Sequence, residues 1–201
     1  MSARLVVLAS GSGSNLQALL HACGLGAMDA QVVAVFVNRK DARAQDRAEA
    51  SGVPGIHVPL APFLASEPDA ESARRAYDAN LARSVAAYEP DAVVLAGWMH
   101  LLSMAFLEHF PAKVINLHPA LPGTFPGAHA IDDAWAAHES DGLDHTGVMV
   151  HLVPNEGVDD GPVLATRRVE ISPDDTRETL EERIHAVEHE LLVEAVSSFL
   201  S

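Results

Sequence analysis

Short, continuously apolar segments alternate along the chain with segments whose apolar residues recur every three or four positions. The first pattern is typical of strands covered on both faces, and the second is typical of amphipathic helices. The apolar segments predict strands at residues 5–9, 32–37, 56–58, 92–96, 114–118, 148–153 and 163–171. The helical spacing predicts helices at residues 15–23, 41–51, 73–88, 104–109, 131–138 and 176–200, with Gly24 ending the first.

This alternation predicts an α/β fold with a doubly wound, mostly parallel, Rossmann-like sheet and helices on both faces. The last two strands follow one another without a helix between them, which predicts an antiparallel edge towards the C-terminus. A chain of 201 residues fits one domain with a sizeable core, so we expect residues 1–201 to form a single domain.

A glycine-rich turn, residues 11–15, joins the first strand to the first helix. Glycines let the backbone approach an anion, and a helix N-terminus supplies free N–H groups, so the turn predicts a phosphate site. The alternative is a plain tight turn. A dinucleotide site is disfavoured because Leu16 replaces the third glycine of the G-x-G-x-x-G pattern. Asn38, Arg39 and Lys40 also stand where an acidic residue would close the second strand.

The strand at 114–118 carries an amide and an imidazole near its end. Side chains alternate along a strand, so Asn116 and His118 face the same side. The loop that follows is stiff, since it holds three prolines and two glycines within residues 119–129. Open α/β sheets bind ligands at the carboxyl ends of their strands. We therefore expect both side chains to face one reacting group, the alternative being a strand end that satisfies its own backbone.

An acidic, glycine-broken loop at 154–162 joins two later strands. It is either a solvated turn or a loop that closes one carboxylate over Asn116 and His118. A nearby carboxylate stabilises a charged imidazole, so the second interpretation predicts a raised pKa for His118.

The amino-acid composition argues against several classes of function. The balance of 13 Lys+Arg against 28 Asp+Glu gives a net charge of −15 and leaves no basic stripe, so we expect no nucleic-acid partner. One cysteine, Cys23, excludes an internal disulfide, and with no signal peptide apparent we expect a cytoplasmic protein. No segment approaches the ~20 apolar residues of a membrane span. His118, His129, His138 and Asp159 lack a zinc-motif arrangement, so we expect no metal.

Four segments occur together in order: ASGSGSNLQA at 9–18, PDAVVLAGWM at 90–99, INLHPAL at 115–121 and VDDGP at 158–162. Together they closely resemble the phosphoribosylglycinamide formyltransferase family, and the resemblance runs nearly end to end. It implies transfer of the formyl group of 10-formyltetrahydrofolate to the amine of 5′-phosphoribosylglycinamide in de novo purine biosynthesis. It also implies a nucleotide-binding half over residues 1–100 and a folate-binding, catalytic half over 101–201.

The resemblance assigns roles to individual residues. The implied catalytic triad is Asn116, His118 and Asp159. The implied ribonucleotide contacts are Gly11, Ser12, Gly13, Ser14, Asn15, His185 and Glu188. The implied folate contacts are Arg74, Met99, His100, Leu101, Leu102, Asn116, Asn155 and Asp159.

Two departures from the family pattern concern the folate side. His100 stands where the family commonly carries arginine, which places a charge contact to folate in question. Residues 121–123 read Leu-Pro-Gly where the family usually reads Leu-Leu-Pro, so the loop conformation is expected to differ locally.

Related activities must be separated from this one. Methionyl-tRNA formyltransferase continues into a basic tRNA-binding domain, and formyltetrahydrofolate deformylase carries an extra domain ahead of a similar core. We expect neither domain here. The hydrolase activity, a non-catalytic nucleotide sensor and a dinucleotide-dependent reductase remain the alternatives. The sequence leaves open a monomer or a homodimer.

Overall fold

Seven strands and seven helices form within residues 2–201, which are the residues that the computed structural model describes. The strands are β1 (Ala3–Ala9), β2 (Ala30–Val37), β3 (Gly55–His57), β4 (Ala92–Leu95), β5 (Val114–His118), β6 (His145–Leu152) and β7 (Val163–Glu170). The helices are α1 (Ser14–Gly24), α2 (Arg43–Ala50), α3 (Ala61–Ser66), α4 (Ala70–Ala86), α5 (Met104–Leu107), α6 (Ala130–Asp141) and α7 (Arg177–Phe199).

The strands form one sheet in the order β3-β2-β1-β4-β5-β6-β7. Strands β1 to β5 pair in parallel, whereas β6 is antiparallel to both β5 and β7. The predicted doubly wound sheet with an antiparallel C-terminal edge is therefore confirmed. The strand order reverses between β1 and β4, which makes the carboxyl ends of these strands the topological switch point where such sheets bind ligands. The Ser10 N–H donates to the Gly97 carbonyl there, at 3.0 Å.

Each face of the sheet has its own core. On β1, Leu5, Val7 and Ala9 belong to the cluster that includes α1 and α7. Val6 and Leu8 belong to the opposite cluster, which includes α4 and α5. Both faces are buried over residues 5–9, and this explains why that part of β1 is apolar at every position. The longest helix, α7, has 23 residues; across residues 2–201, no helix combines the length and apolarity that a bilayer crossing requires.

The boundaries of most elements differ from the predictions by one to three residues, and four of the differences are described here. Helix α4 begins at Ala70 rather than at residue 73, because the Asp69 carboxylate caps it by accepting the Ser72 N–H at 2.7 Å. Helix α1 includes Gly24 instead of ending before it. Helix α3 was not predicted, since six residues are too few to show a helical repeat. Strand β6 begins at His145, three residues early, because its polar start pairs with β7.

Candidate active site

The end of β5 and the acidic loop after β6 bring three polar side chains together. Asn116 Nδ2 donates to Asp159 Oδ1 at 3.0 Å, and His118 Nδ1 lies 3.2 Å from Asp159 Oδ2. The Gly127 N–H, from the loop after β5, donates to Asp159 Oδ2 at 2.8 Å. The loop at 154–162 is therefore more than a solvated turn, because its carboxylate joins the amide and the imidazole in one cluster.

The prediction of a raised pKa for His118 is wrong. Burial lowers the pKa of His118, and this effect outweighs the opposing effects of Asp159 and of the Phe125 carbonyl. The ring is only 3% exposed, and its Nε2 atom lies 3.0 Å from the Phe125 oxygen. Burial also raises the pKa of Asp159, but the hydrogen bond from the Gly127 N–H counters this effect, and the pKa of Asp159 lies below its usual value. The resting cluster thus favours a neutral imidazole beside an ionised carboxylate.

His151 belongs to the same cluster and was not identified from the sequence. It lies directly opposite Asn116 in the antiparallel register of β5 and β6. Its Nε2 atom is 3.1 Å from Asn116 Nδ2 and 3.4 Å from Asp159 Oδ1, and the residue is 2% exposed. The signal in the sequence was an imidazole inside an apolar strand, but the partner of that imidazole depends on a register that the sequence does not give.

The glycine turn after β1 presents free backbone N–H groups. Gly13 caps α1 in a left-handed conformation (φ 71°), and no side chain caps the helix. Within residues 2–201, no group accepts the first N–H groups of α1, those of Ser14, Asn15 and Leu16. The turn is held from outside by Arg47, whose Nε donates to the Ser12 carbonyl at 2.8 Å. Free N–H groups at a helix N-terminus are the kind of donors that suit an anion.

A cavity of about 460 Å³ extends from the glycine turn to Leu117 and Pro119, the two neighbours of His118. All seven predicted ribonucleotide contacts line it: Gly11, Ser12, Gly13, Ser14, Asn15, His185 and Glu188. Arg39 and Arg177 also line it and were not predicted as site residues. Arg177 is paired with two carboxylates, those of Asp132 and Glu181, whereas Arg39 makes no ion pair within residues 2–201.

One wall of the cavity contains a buried carboxylate, that of Glu188. Glu188 is 4% exposed; its Oε2 accepts the Asn15 Nδ2 hydrogen at 3.1 Å and lies 2.8 Å from His185 Nδ1. The contact with Glu188 raises the pKa of His185. The last helix and the glycine turn are thereby joined in one hydrogen-bonded wall.

The residues predicted to contact folate differ in their exposure and in their contacts. Met99 and Leu101 expose 52% and 61% of their surfaces, whereas Leu102 is buried. Arg74 Nη1 donates to the Leu101 carbonyl at 3.4 Å. The Asn155 side chain accepts the Gly157 N–H at 2.8 Å, which shapes the acidic loop.

His100 packs edge-on against Tyr77 and Trp98. Burial, reinforced by Arg74 and Arg39, lowers the pKa of His100 to about 4. The ring is therefore neutral at pH 7, so it provides no positive charge where the family commonly has arginine.

The doubly wound sheet brings the free N–H groups of α1 and the amide–imidazole–carboxylate cluster at the end of β5 to its carboxyl edge, an arrangement that suits a group-transfer enzyme. The family model described as formyl transferase matches residues 3–196, and the chain belongs to that family. It is therefore a transferase.

Relatives of known name agree with this assignment. The chain is 44% identical over 206 residues to the phosphoribosylglycinamide formyltransferase of Schizosaccharomyces pombe, covering 100% of this chain and 99% of the relative. It is 45% identical over 196 residues to the Mycobacterium tuberculosis H37Rv enzyme of that name, covering 98% and 84%. The structure of glycinamide ribonucleotide transformylase 1 from Geobacillus kaustophilus superposes with a TM-score of 0.88, at 37% identity and full coverage of both chains.

Proposed function

We propose that this chain transfers the formyl group of 10-formyltetrahydrofolate to the amine of 5′-phosphoribosylglycinamide. The products are the N-formyl nucleotide and tetrahydrofolate, in de novo purine biosynthesis. One observation carries the proposal: a single cavity runs from the free N–H groups at the start of α1 to the neighbours of His118. A nucleotide anchored by its phosphate at the glycine turn would extend its amine towards His118, whose two chain neighbours line the other end of the cavity.

The nucleotide half of the proposal rests on charge and hydrogen bonding. The N–H groups of Ser14, Asn15 and Leu16 suit phosphate oxygens, and Arg39 adds a positive charge beside them. Glu188 presents a carboxylate to the hydroxyl or amide groups of the middle of the substrate. The cavity thus matches a ligand that is anionic at one end and carries hydrogen-bond donors further along.

We assign the formyl donor to exposed apolar side chains. Met99, Leu101 and Val158 expose apolar side chains, an environment suited to a flat aromatic ligand. The neutral His100 offers no charge, so Arg74 is the cation that we assign to the carboxylate end of the folate. When bound, the folate supplies the formyl carbon, and the protein residues orient it.

The chemistry follows from the cluster. Attack of the amine on the formyl carbon turns the formyl oxygen into an oxyanion, which N–H donors from Asn116 and His118 stabilise. At rest these donors contact Asp159 and the Phe125 carbonyl, so the formyl oxygen must replace one of these acceptors. Asp159 is ionised and His118 is neutral, so the pair can accept the proton that the attacking amine loses. The same proton is then available to the folate nitrogen that leaves.

The test is a product assay with and without the nucleotide. With both substrates present, we expect formyl nucleotide and tetrahydrofolate in equal amounts. With the formyl donor alone, we expect little formate, because the anchored amine has a far higher effective molarity than correctly placed water. Fast formate release without nucleotide would support the hydrolase alternative, and binding of the nucleotide without any product would support the sensor.

A further inference from the structure

His151 is a buried imidazole that faces Asn116 across β5 and β6. The His151 Nδ1 atom lies 2.9 Å from the Leu152 carbonyl oxygen. A carbonyl only accepts hydrogen bonds, so Nδ1 carries the hydrogen in the neutral ring. The Nε2 atom of that ring is left with a lone pair, and it therefore accepts from Asn116 Nδ2, 3.1 Å away.

This contact fixes the plane of the Asn116 amide. The NH₂ group has two hydrogens, and its two near acceptors are His151 Nε2 at 3.1 Å and Asp159 Oδ1 at 3.0 Å. A flipped amide would place its oxygen against the Asp159 carboxylate, which is unfavourable because both are acceptors. The amide therefore has one orientation, with one hydrogen on each neighbour.

The two acceptors differ in what they can do during a reaction. His151 is buried within β6 and bonded to its own strand, so it stays in place. Asp159 lies on a loop and, under the proposed function, accepts a proton. When that happens, the carboxyl group binds the amide hydrogen less strongly. The hydrogen that it held then becomes free for the oxyanion, while His151 still holds the other.

We propose that His151 is a positioning residue: it anchors one amide hydrogen of Asn116, and so aims the second at the developing oxyanion. This inference rests on the proposed formyl transfer. The positioning role requires a lone pair on His151 Nε2. A proton on that atom would place two N–H donors, those of His151 and Asn116, against each other. The titratable groups that face His151 are Asp159 and His118.

Three variants test the role. His151→Phe keeps a ring but removes the acceptor, and we expect kcat to fall about ten- to a hundredfold, the range for leaving one buried donor unsatisfied. The KM for the nucleotide should stay within about twofold, since the anion site is untouched. His151→Gln restores an acceptor and should recover part of kcat. Thr146→Val is the control on the same strand, because Thr146 is 2% exposed and its Oγ1 has no partner within residues 2–201.

A second measurement on the unmodified chain does not depend on activity or on a variant folding. Nitrogen-15 spectra of labelled histidine distinguish the two neutral tautomers from the doubly protonated ring. We expect His151 to carry its hydrogen on Nδ1 at pH 7. A hydrogen on Nε2, or unchanged kcat in His151→Phe, would overturn the proposal. Loss of kcat that is equal in the Phe and Gln variants would assign His151 a packing role only. If the wild-type chain made no formyl nucleotide, the proposed function would fail, whichever tautomer was seen.

Discussion

Gly11 and Gly13, the two glycines of the proposed anion site, have different roles, and alanine substitutions distinguish these roles. Gly13 combines a left-handed backbone (φ +71°) with close packing, and a Cβ added there would lie 2.7 Å from Ala44 Cα and 2.9 Å from Ala44 Cβ. A Cβ added at Gly11 would meet no atom within 4 Å. Gly13 therefore holds the turn against α2, whereas Gly11 leaves room at the cavity wall.

The magnitudes follow from these contacts. A left-handed conformation costs an L-residue roughly 1–2 kcal/mol. The contacts with Ala44 add about 1–3 kcal/mol, because backbone of α2 must move. At about 2–4 °C per kcal/mol for a chain of this size, Gly13→Ala should lower Tm by about 5–15 °C. Gly11→Ala should change stability by less than ~0.5 kcal/mol. A methyl group in the anion site should nevertheless raise its nucleotide KM about tenfold, or ~1.4 kcal/mol.

The assay is calorimetry on both variants, followed by steady-state kinetics with each substrate varied in turn. The folate KM of Gly11→Ala serves as the internal control and should not change. Equal Tm values for Gly13→Ala and the wild type would refute the packing argument. An equal rise in both KM values for Gly11→Ala would show that the turn does not bind the phosphate.

Further predictions concern the cluster, the cavity and pH. Asn116→Ala, His118→Ala and Asp159→Asn should each lower kcat by at least ~10²-fold with little change in nucleotide KM, and full activity in His118→Ala would sink the mechanism. Arg39→Ala should raise the nucleotide KM by a factor that shrinks at high salt; a salt-independent effect would argue against charge. His100 has a pKa of about 4 in the folded chain against 6.5 when unfolded, so it removes stability as pH falls from 6.5 towards 4. Because the His100 ring is only partly buried, solvent screening reduces this loss of stability to about 1 kcal/mol. His100→Phe should flatten that part of the denaturation–pH curve, and an unchanged curve would contradict the assignment.

The sheet could be predicted because β1, β2 and β4 carry continuous apolar runs. Strand β1 is buried on both faces, and this leaves a run of five apolar residues that no surface segment would keep. Helix α3 has no such signal, since it is short and none of its residues is buried. The polar start of β6 was missed for a related reason: His145 and Thr146 join the strand only because β7 lies beside them.

Those site residues could be predicted whose positions follow from a pattern in neighbouring residues of the sequence. Strand alternation placed Asn116 and His118 on one face without knowledge of the fold. His151 needed the register of β5 against β6, and Arg39 needed the shape of the cavity, and neither is local. The pKa of His118 was predicted with the wrong sign because depth of burial, rather than the nearby carboxylate of Asp159, has the larger effect.

The central claim is that one cavity brings a phosphate-anchored amine to the formyl carbon beside His118. A crystal structure with the nucleotide and a folate analogue bound together tests it most directly. We predict the phosphate on the N–H groups of Ser14, Asn15 and Leu16. We also predict the amine nitrogen about 3–3.5 Å from the atom that takes the place of the formyl carbon, within reach of Asn116 and His118. A phosphate bound elsewhere, or an amine directed away from the cluster, would contradict the account.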